Sequence, residues 1–517
     1  MDMDNIDKIV IDGDSLTITD IFKIARRGFH VDINLLALNG IESSRTYVDR
    51  LVTDQKVVYG ITTGFGEFSK IRISQEDTED LQKNLIVSHA CGVGAHLPQD
   101  VVRAVMLLRI NALVKGFSGI RFSTLQTLTD MLNKGVIPAI PEKGSLGASG
   151  DLAPLAHMAL PLIGMGEAYY RGELLPGKEA MARAGITPVI LTSKEGLALI
   201  NGTQVMTAIG ALAYYDAVNL AKLLDISAAL TMEALKGITD AYIPELHRLR
   251  PHKGQINTAE NMLRLLENSK RTRRQTENHV QDAYSLRCVP QIHGASKDVL
   301  EYVRQKLDIE INSVTDNPII LADQDMAISC GNFHGQTMAM AFDFLAVAMA
   351  ELANVSERRI ERLVNPALSN TLPFLTKYSG LCSGFMIAQY AAAALVSENK
   401  ILAHPASVDS IPSSGNQEDH VSMGTIAARK ARDVIFNASR VAAIELLCAA
   451  QAIDLDSKDD VKSLSLGTAA AYGLLRQNCP ALEEDRELYV DINKTAALID
   501  ANAFVEAVEG VIGSLET

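Results

Sequence analysis

Three long stretches, 203–237, 335–364 and 424–454, constrain this chain most. Ala, Leu and Met predominate in them and charges are sparse. Within "TIAARKARDVIFNASRVAAIELLCAAQAI" apolar residues recur three and four apart, which is the spacing of one helix face. Long helices that are apolar on several faces must be buried, either in a central bundle or between subunits. The first part of the chain has another texture. Gly and Pro recur in "GITTGFGEF", "CGVGAHLP", "GVIPAIPEKGSLG" and "IGMGEAYYRGELLPG", and strand-like runs such as "KIVIDG" and "PVILTS" lie among them. The expected fold is mainly α: a loop-rich N-terminal domain over 1–195 and a long-helix bundle over 196–517 that carries the oligomer interface.

With 517 residues, 47% of them hydrophobic, the chain can bury a large core. A formal net charge of −14 opposes non-specific nucleic-acid binding, and "KRTRRQ" (270–275) reads as a solvated basic face. The six cysteines form no C-x-x-C pair and read as reduced thiols. The start "MDMDNIDKIV" lacks a basic region followed by an apolar one, and the long apolar stretches carry internal charges. These features lead us to expect a cytoplasmic protein with no membrane or nucleic-acid partner.

Common chemical motifs are missing. The sequence has no G-x-x-x-x-G-K-[ST], H-E-x-x-H or G-x-S-x-G, and its eleven histidines show no metal-ligand spacing. No metal and no external cofactor are expected. The stretch "GSLGASGDLAPLAH" (144–157) offers a different chemistry. In a turn of small residues the amide nitrogen of Gly150 can approach the carbonyl carbon of Ala148. Attack there closes a five-membered ring. Loss of one water from the ring and a second from Ser149 leaves an exocyclic methylene, an electrophile that no standard side chain supplies. The plainer reading is a Gly-rich turn before a helix starting near Asp151.

Further segments accompany this one in order: "YGITTGFG" (59–66), "LINGTQ" (199–204), "QDAYSLRCVPQIHG" (281–294), "TDNP" (315–318), "GNFHG" (331–335) and "NQEDHVSMG" (416–424). Together they resemble the histidine and phenylalanine ammonia-lyase family, over about residues 10–510. The resemblance implies a mainly α, fumarase/ammonia-lyase-like fold and a homotetramer whose active sites draw on several subunits. It also implies a 4-methylidene-imidazol-5-one made from Ala148, Ser149 and Gly150. "SHACGVG" (88–94), Glu418 with His420, and "AHPASVDSIP" (403–412) are typical of the branch that acts on histidine. A carboxylate and an imidazole can bond both ring nitrogens of an imidazole substrate, whereas an apolar benzyl pocket cannot. The implied reaction is non-oxidative loss of ammonia from L-histidine to give trans-urocanate. A tyrosine or phenylalanine ammonia-lyase or 2,3-aminomutase is the alternative, and a non-catalytic binding protein on the same scaffold is a more distant one.

The same resemblance distributes roles. Tyr59, in a Gly-rich loop suited to a lid, would be the general base; Thr62 departs there from the commoner Asn. Asn201 would serve the electrophile and the substrate amine, although a helix N-cap is equally compatible with its position. Gln281, Tyr284 and Arg287, spaced by three, are expected on one broad helix face. Arg287 would pair with the substrate carboxylate, Tyr284 would support the electrophile or the acid–base step, and Gln281 and Asn317 would contact substrate. Phe333 would pack near the electrophile. His89 and Glu418 would recognise imidazole. Asp151 would assist cyclisation or simply cap a helix.

Overall fold

The computed structural model describes residues 7–58, 60, 61, 63, 78–456 and 461–517. Two compact units emerge: residues 1–215, 304–343 and 405–429, and residues 216–303, 344–404 and 430–517. Four divisions between them fall inside long helices, after residues 215, 303, 343 and 429.

The three apolar stretches form the helices Gln204–Ala234, Gln336–Val364 and Gly424–Leu455. By length and composition Gln336–Val364 could cross a bilayer, but most of it is buried within the protein.

In the first unit, strand Lys8–Ile11 pairs in parallel with His30–Ile33. Helix Ile18–Arg27 starts at a capping box. Thr17 Oγ1 accepts from Asp20 N at 3.1 Å, and Asp20 Oδ2 accepts from Thr17 N at 3.2 Å. Gly28, at φ 75°, ends the helix in the left-handed region that glycine favours. Helix Gln99–Val114 is apolar nearly all round and correspondingly buried; among its buried residues only Arg109 and Asn111 are polar. Each fully buried Leu, Ile or Val contributes roughly 1.5–3 kcal/mol. A three-stranded antiparallel sheet joins Ile137–Pro138, Glu167–Tyr170 and Glu173–Pro176.

The strand-like run "PVILTS" (188–193) forms no strand. It is used as a loop instead: Val189 N donates to Leu162 O at 2.9 Å, and Thr192 N to Glu195 Oε2 at 2.8 Å. Short-range alternation lost there to a buried carboxylate that collects nearby donors.

The second unit is helical and includes Lys253–Leu265, Met386–Leu402, Leu466–Asn478, Leu488–Asp500 and Ala503–Ile512. Its interior holds ion pairs as well as apolar side chains. Asp225 binds Lys297 at 2.6 Å and His293 at 2.7 Å, while Arg359 binds Glu445 through both Nε (2.5 Å) and Nη2 (2.9 Å). His293 also accepts from Arg359 Nη1 at 3.2 Å, which joins the two pairs.

Candidate active site

In the first unit, residues 144–151 form a tight turn leading into helix Leu152–Leu162. Gly147 and Gly150 have φ of 74° and 69° and bridge each other. A Cβ on Gly150 would stand 2.2 Å from Gly202 O, and one on Gly147 would stand 2.2 Å from Ser422 Oγ. Both positions therefore require glycine, for backbone angle and for space. Gly202 and Ser422 thus pack closely against Gly150 and Gly147, on either side of Ala148 and Ser149. The residues present fit the self-made group.

Asp151 is the N-terminal flank of helix Leu152–Leu162 but does not cap it. Its Oδ2 instead accepts from Val205 N (3.0 Å) and Met206 N (2.8 Å), at the start of helix Gln204–Ala234. Oδ1 accepts from the hydroxyls of Ser145 (2.8 Å) and Thr425. Burial pushes the Asp151 carboxyl up, against the hydrogen bonds that hold charge on it.

Asn201 does not begin a helix; it closes the short helix Glu195–Ile200. The turn Asn201–Thr203 intervenes before the next helix because Gly202 is tied across to Asp151 N, whose bond to Gly202 O is 2.8 Å. Asn201 is buried, and its Oδ1 has no hydrogen-bond partner. An orphaned buried acceptor is costly in a finished structure and suits a residue awaiting a ligand.

Glu418 meets the turn directly. Ser149 Oγ donates to Glu418 Oε1 at 3.1 Å, and Ser413 Oγ donates to Oε2 at 2.9 Å. His89 ends helix Thr78–His89, with Nδ1 3.1 Å from Ser88 Oγ. Burial lowers its pKa, and the Glu418 carboxylate acts on it in the opposite sense. The structure thus brings Glu418 to Ser149, with His89 within electrostatic reach of that carboxylate. A Cβ on Gly335 or on Gly424 would stand 2.5 Å from Met206 Sδ, and Ser422 Oγ is close to both. Phe333, half-buried, sits in the turn before Gly335; the rings of His334 and His420 stack with centroids 5.8 Å apart.

Asn317 is buried, and its Oδ1 is already committed, accepting from Cys330 N at 2.8 Å. Tyr59 and Thr62 lie outside the described residues. Gln281, Tyr284 and Arg287 belong to the second unit. The three do not all share one helix. Asp282 accepts from Ile238 N at 2.6 Å and Ala283 is extended, so the helix covers only Tyr284–Arg287. Gln281 precedes it in open chain. Tyr284 is 69% exposed, the Arg287 guanidinium stands 4.7 Å from its ring centroid, and Arg287 Nε is buried with no hydrogen-bond partner.

Sequence reasoning did not single out Ser145, Thr425, Ser413, Ser422 or Arg109. Only Arg109 left a signal, as a charge inside "VMLLRINALV". Among the described residues no three His, Cys, Asp or Glu side chains group as a metal site.

A model of the family described as aromatic amino acid lyase matches residues 16–477. This chain belongs to the aromatic amino acid lyase family. Relatives in that family include a histidine ammonia-lyase of Alkaliphilus oremlandii, 62% identical over 98% of this chain and 99% of its own length. One of Streptococcus pyogenes is 57% identical over 98% of both. Among solved structures, histidine ammonia-lyase from Trypanosoma cruzi superposes with a TM-score of 0.91 at 42% identity, covering 97% of this chain and 95% of the other. Tyrosine aminomutase from Streptomyces globisporus reaches 0.94 at 38%, covering 98% and 99%. The aromatic amino acid lyase fold therefore serves more than one outcome, and residues must decide between them.

Proposed function

We propose that this chain is an ammonia-lyase, a carbon–nitrogen lyase that removes ammonia from L-histidine and releases trans-urocanate. The observation that carries this reading is the hydrogen bond from Ser149 Oγ to Glu418 Oε1: a carboxylate able to bond an imidazole nitrogen stands at the candidate electrophile, and His89 lies within its electrostatic reach. The names of its relatives at 57–62% identity agree with it.

When formed, the methylidene-imidazolone of Ala148, Ser149 and Gly150 supplies an electrophile for the substrate. Glu418 and His89 hold the imidazole from two sides and fix the ring plane. Asn201 Oδ1, lacking a protein donor, accepts from the substrate ammonium. Arg287 offers a fork to the carboxylate, with Tyr284 against its face and Gln281 and Asn317 as further polar contacts. Tyr59 removes the β-proton; its ordinary pKa near ~10 must fall for that task. Phe333 excludes water. Cytoplasmic assembly as a homotetramer completes the reading, and exposed apolar side chains such as Phe344, Val347, Ile387 and Tyr390 give subunits something to cover.

The test is the ultraviolet band of urocanate on adding L-histidine to purified protein, with Ser149→Ala, L-tyrosine and L-phenylalanine as controls. Growth of the band for histidine alone, lost in the variant, is expected. A coumarate- or cinnamate-type band in its place would transfer the protein to the other branch.

A further inference from the structure

Arg109 is a cation in the middle of a buried apolar helix, and it is 0% exposed. Its Nε donates to Ala198 O at 2.9 Å and its Nη2 reaches the same carbonyl. Its Nη1 donates to Asn201 O at 2.8 Å and to Gln204 Oε1 at 2.9 Å. Every one of these acceptors is an uncharged carbonyl. Asp316, which acts on it electrostatically, is paired with Lys194 at 2.7 Å. Burial pushes the Arg109 guanidinium down to about 10. Full desolvation of a guanidinium without its own carboxylate is costly, and stability alone is a poor reason to keep one.

The backbone carbonyls it grips have one thing in common. Those of Ala198 and Asn201 belong to the end of helix Glu195–Ile200 and the loop after it, where a cation also suits the negative end of the helix. The opposite edge of that loop is Gly202, which bridges Gly150 and accepts from Asp151 N. A Cβ on Gly202 would stand 2.5 Å from Arg109 Nη1 and 2.3 Å from Gln204 Oε1, so the guanidinium backs the loop closely. Gln204 is itself tethered, donating from Nε2 to Thr315 Oγ1 at 2.7 Å.

We propose that Arg109 is a positioning residue: by clamping the carbonyls of Ala198 and Asn201 it fixes the loop against which Gly150 and Asp151 are laid, and with it the aim of Asn201 Oδ1. It sets the backing of the Ala148–Ser149–Gly150 turn without touching substrate. This rests on the reading that the turn forms the electrophile. A lysine cannot replace it, because a point charge lacks the planar fork that serves two carbonyls at once.

The experiment compares full-length Arg109→Lys with the unmodified protein by intact mass, thermal unfolding and urocanate production. In the folded lysine variant, the fraction of chains lacking two waters drops. Its kcat falls on the order of 10²-fold while KM for histidine stays within about twofold, as expected for a small misplacement behind the reacting groups. Should Arg109→Lys fail to fold, Gln204→Met removes one partner and leaves the cation in place. A fall in kcat of about tenfold at similar KM is then expected. A fully dehydrated turn with unchanged kcat in either folded variant overturns the proposal. Unmodified protein that has lost two waters yet leaves histidine untouched overturns the substrate, and the variant's mass still reads the positioning. Unmodified protein lacking that loss overturns the electrophile and the positioning together.

Discussion

One cluster in each unit shows a different way of burying charge, although the first unit also holds the buried pair Lys194–Asp316 at 2.7 Å. In the second, Asp225 faces Lys297, Arg359 faces Glu445, and His293 spans the pairs; Ser227, Thr231 and Ser356 give hydroxyls to Glu445 at 3.1, 2.9 and 2.6 Å. In the first, Asp151 has only hydroxyl and backbone N–H donors, and Arg109 has only carbonyl acceptors. Among the described residues neither has an oppositely charged partner within ion-pair distance. Paired burial is self-contained and needs nothing from outside. Charge solvated by neutral dipoles does something else: it fixes backbone at particular atoms, here on both sides of the loop that borders Ala148–Ser149–Gly150. The difference separates a structural cluster from one that borders the candidate electrophile.

The sharpest way to break this contrast is to remove one member from each side. Ser149→Ala takes away the proposed electrophile and little packing. Turnover should fall on the order of 10³-fold or more with the unfolding midpoint nearly unchanged. Arg359→Met should do the reverse, because it strands Glu445 in the interior. A loss of about 3–5 kcal/mol in chemical denaturation is expected, with kcat of the surviving folded protein close to normal. Should Ser149→Ala unfold the protein, or Arg359→Met remove activity from well-folded protein, the division of labour between the two clusters is wrong.

Two smaller changes sharpen it within the first unit. Glu418→Gln keeps a side-chain oxygen acceptor at this place but removes the charge offered to imidazole. Loss of one charge-assisted bond of about 1.5–3 kcal/mol should reduce kcat/KM for histidine by roughly 10–100-fold. An unaltered ratio of histidine to tyrosine turnover would remove Glu418 from substrate recognition. Asp151→Asn is nearly isosteric. Its oxygen can face Val205 N and Met206 N while its amide faces the Ser145 and Thr425 hydroxyls, which also accept. Stability should stay within about 1 kcal/mol, while the fraction of chains that lose two waters should fall. A large loss of stability would show that the carboxylate charge itself holds the turn.

Much of this was legible in sequence, and the reasons are physical. Apolar periodicity over 203–237, 335–364 and 424–454 foretold helices that run 204–234, 336–364 and 424–455, because long buried helices leave no freedom in their pattern. Ser149 and Glu418, widely separated in the chain, were expected at one site on their surrounding motifs, and a hydrogen bond joins them. Readings that relied on local spacing alone fared worse. Gln281 falls outside the helix because a tertiary bond from Ile238 N to Asp282 holds its neighbour extended. Asn201 ends a helix because Gly202 is tied to Asp151. Asp151 sits where a helix cap should be and serves a different helix. Each departure comes from a contact remote in sequence, which no local rule contains.

The smallest expected effect returns to the contrast in charge. His293 is buried between Asp225 and Arg359, and burial lowers its pKa. The folded state therefore binds its proton less readily than the unfolded chain. Its contribution is fully present above the unfolded value near ~6.5 and is lost as pH falls below that. Asp225, held at about 2 although burial alone would raise it, acts in the same sense at lower pH, beneath its unfolded value near ~3.9. Asp151 acts oppositely: its folded pKa is raised, so acid relieves the burial of its charge. Between about pH 7 and 5.5 only the histidine of these three titrates in the unfolded chain. Denaturant midpoints measured across that window should fall with acid more steeply in the unmodified protein than in His293→Gln, whose side chain carries no titrating ring. Other histidines with lowered pKa, His89 and His157 among them, remain in both proteins, so the difference between slopes isolates His293. Equal slopes would mean that His293 is as easily protonated in the folded network as in water, and that the second unit's charges are less self-contained than their pairing implies.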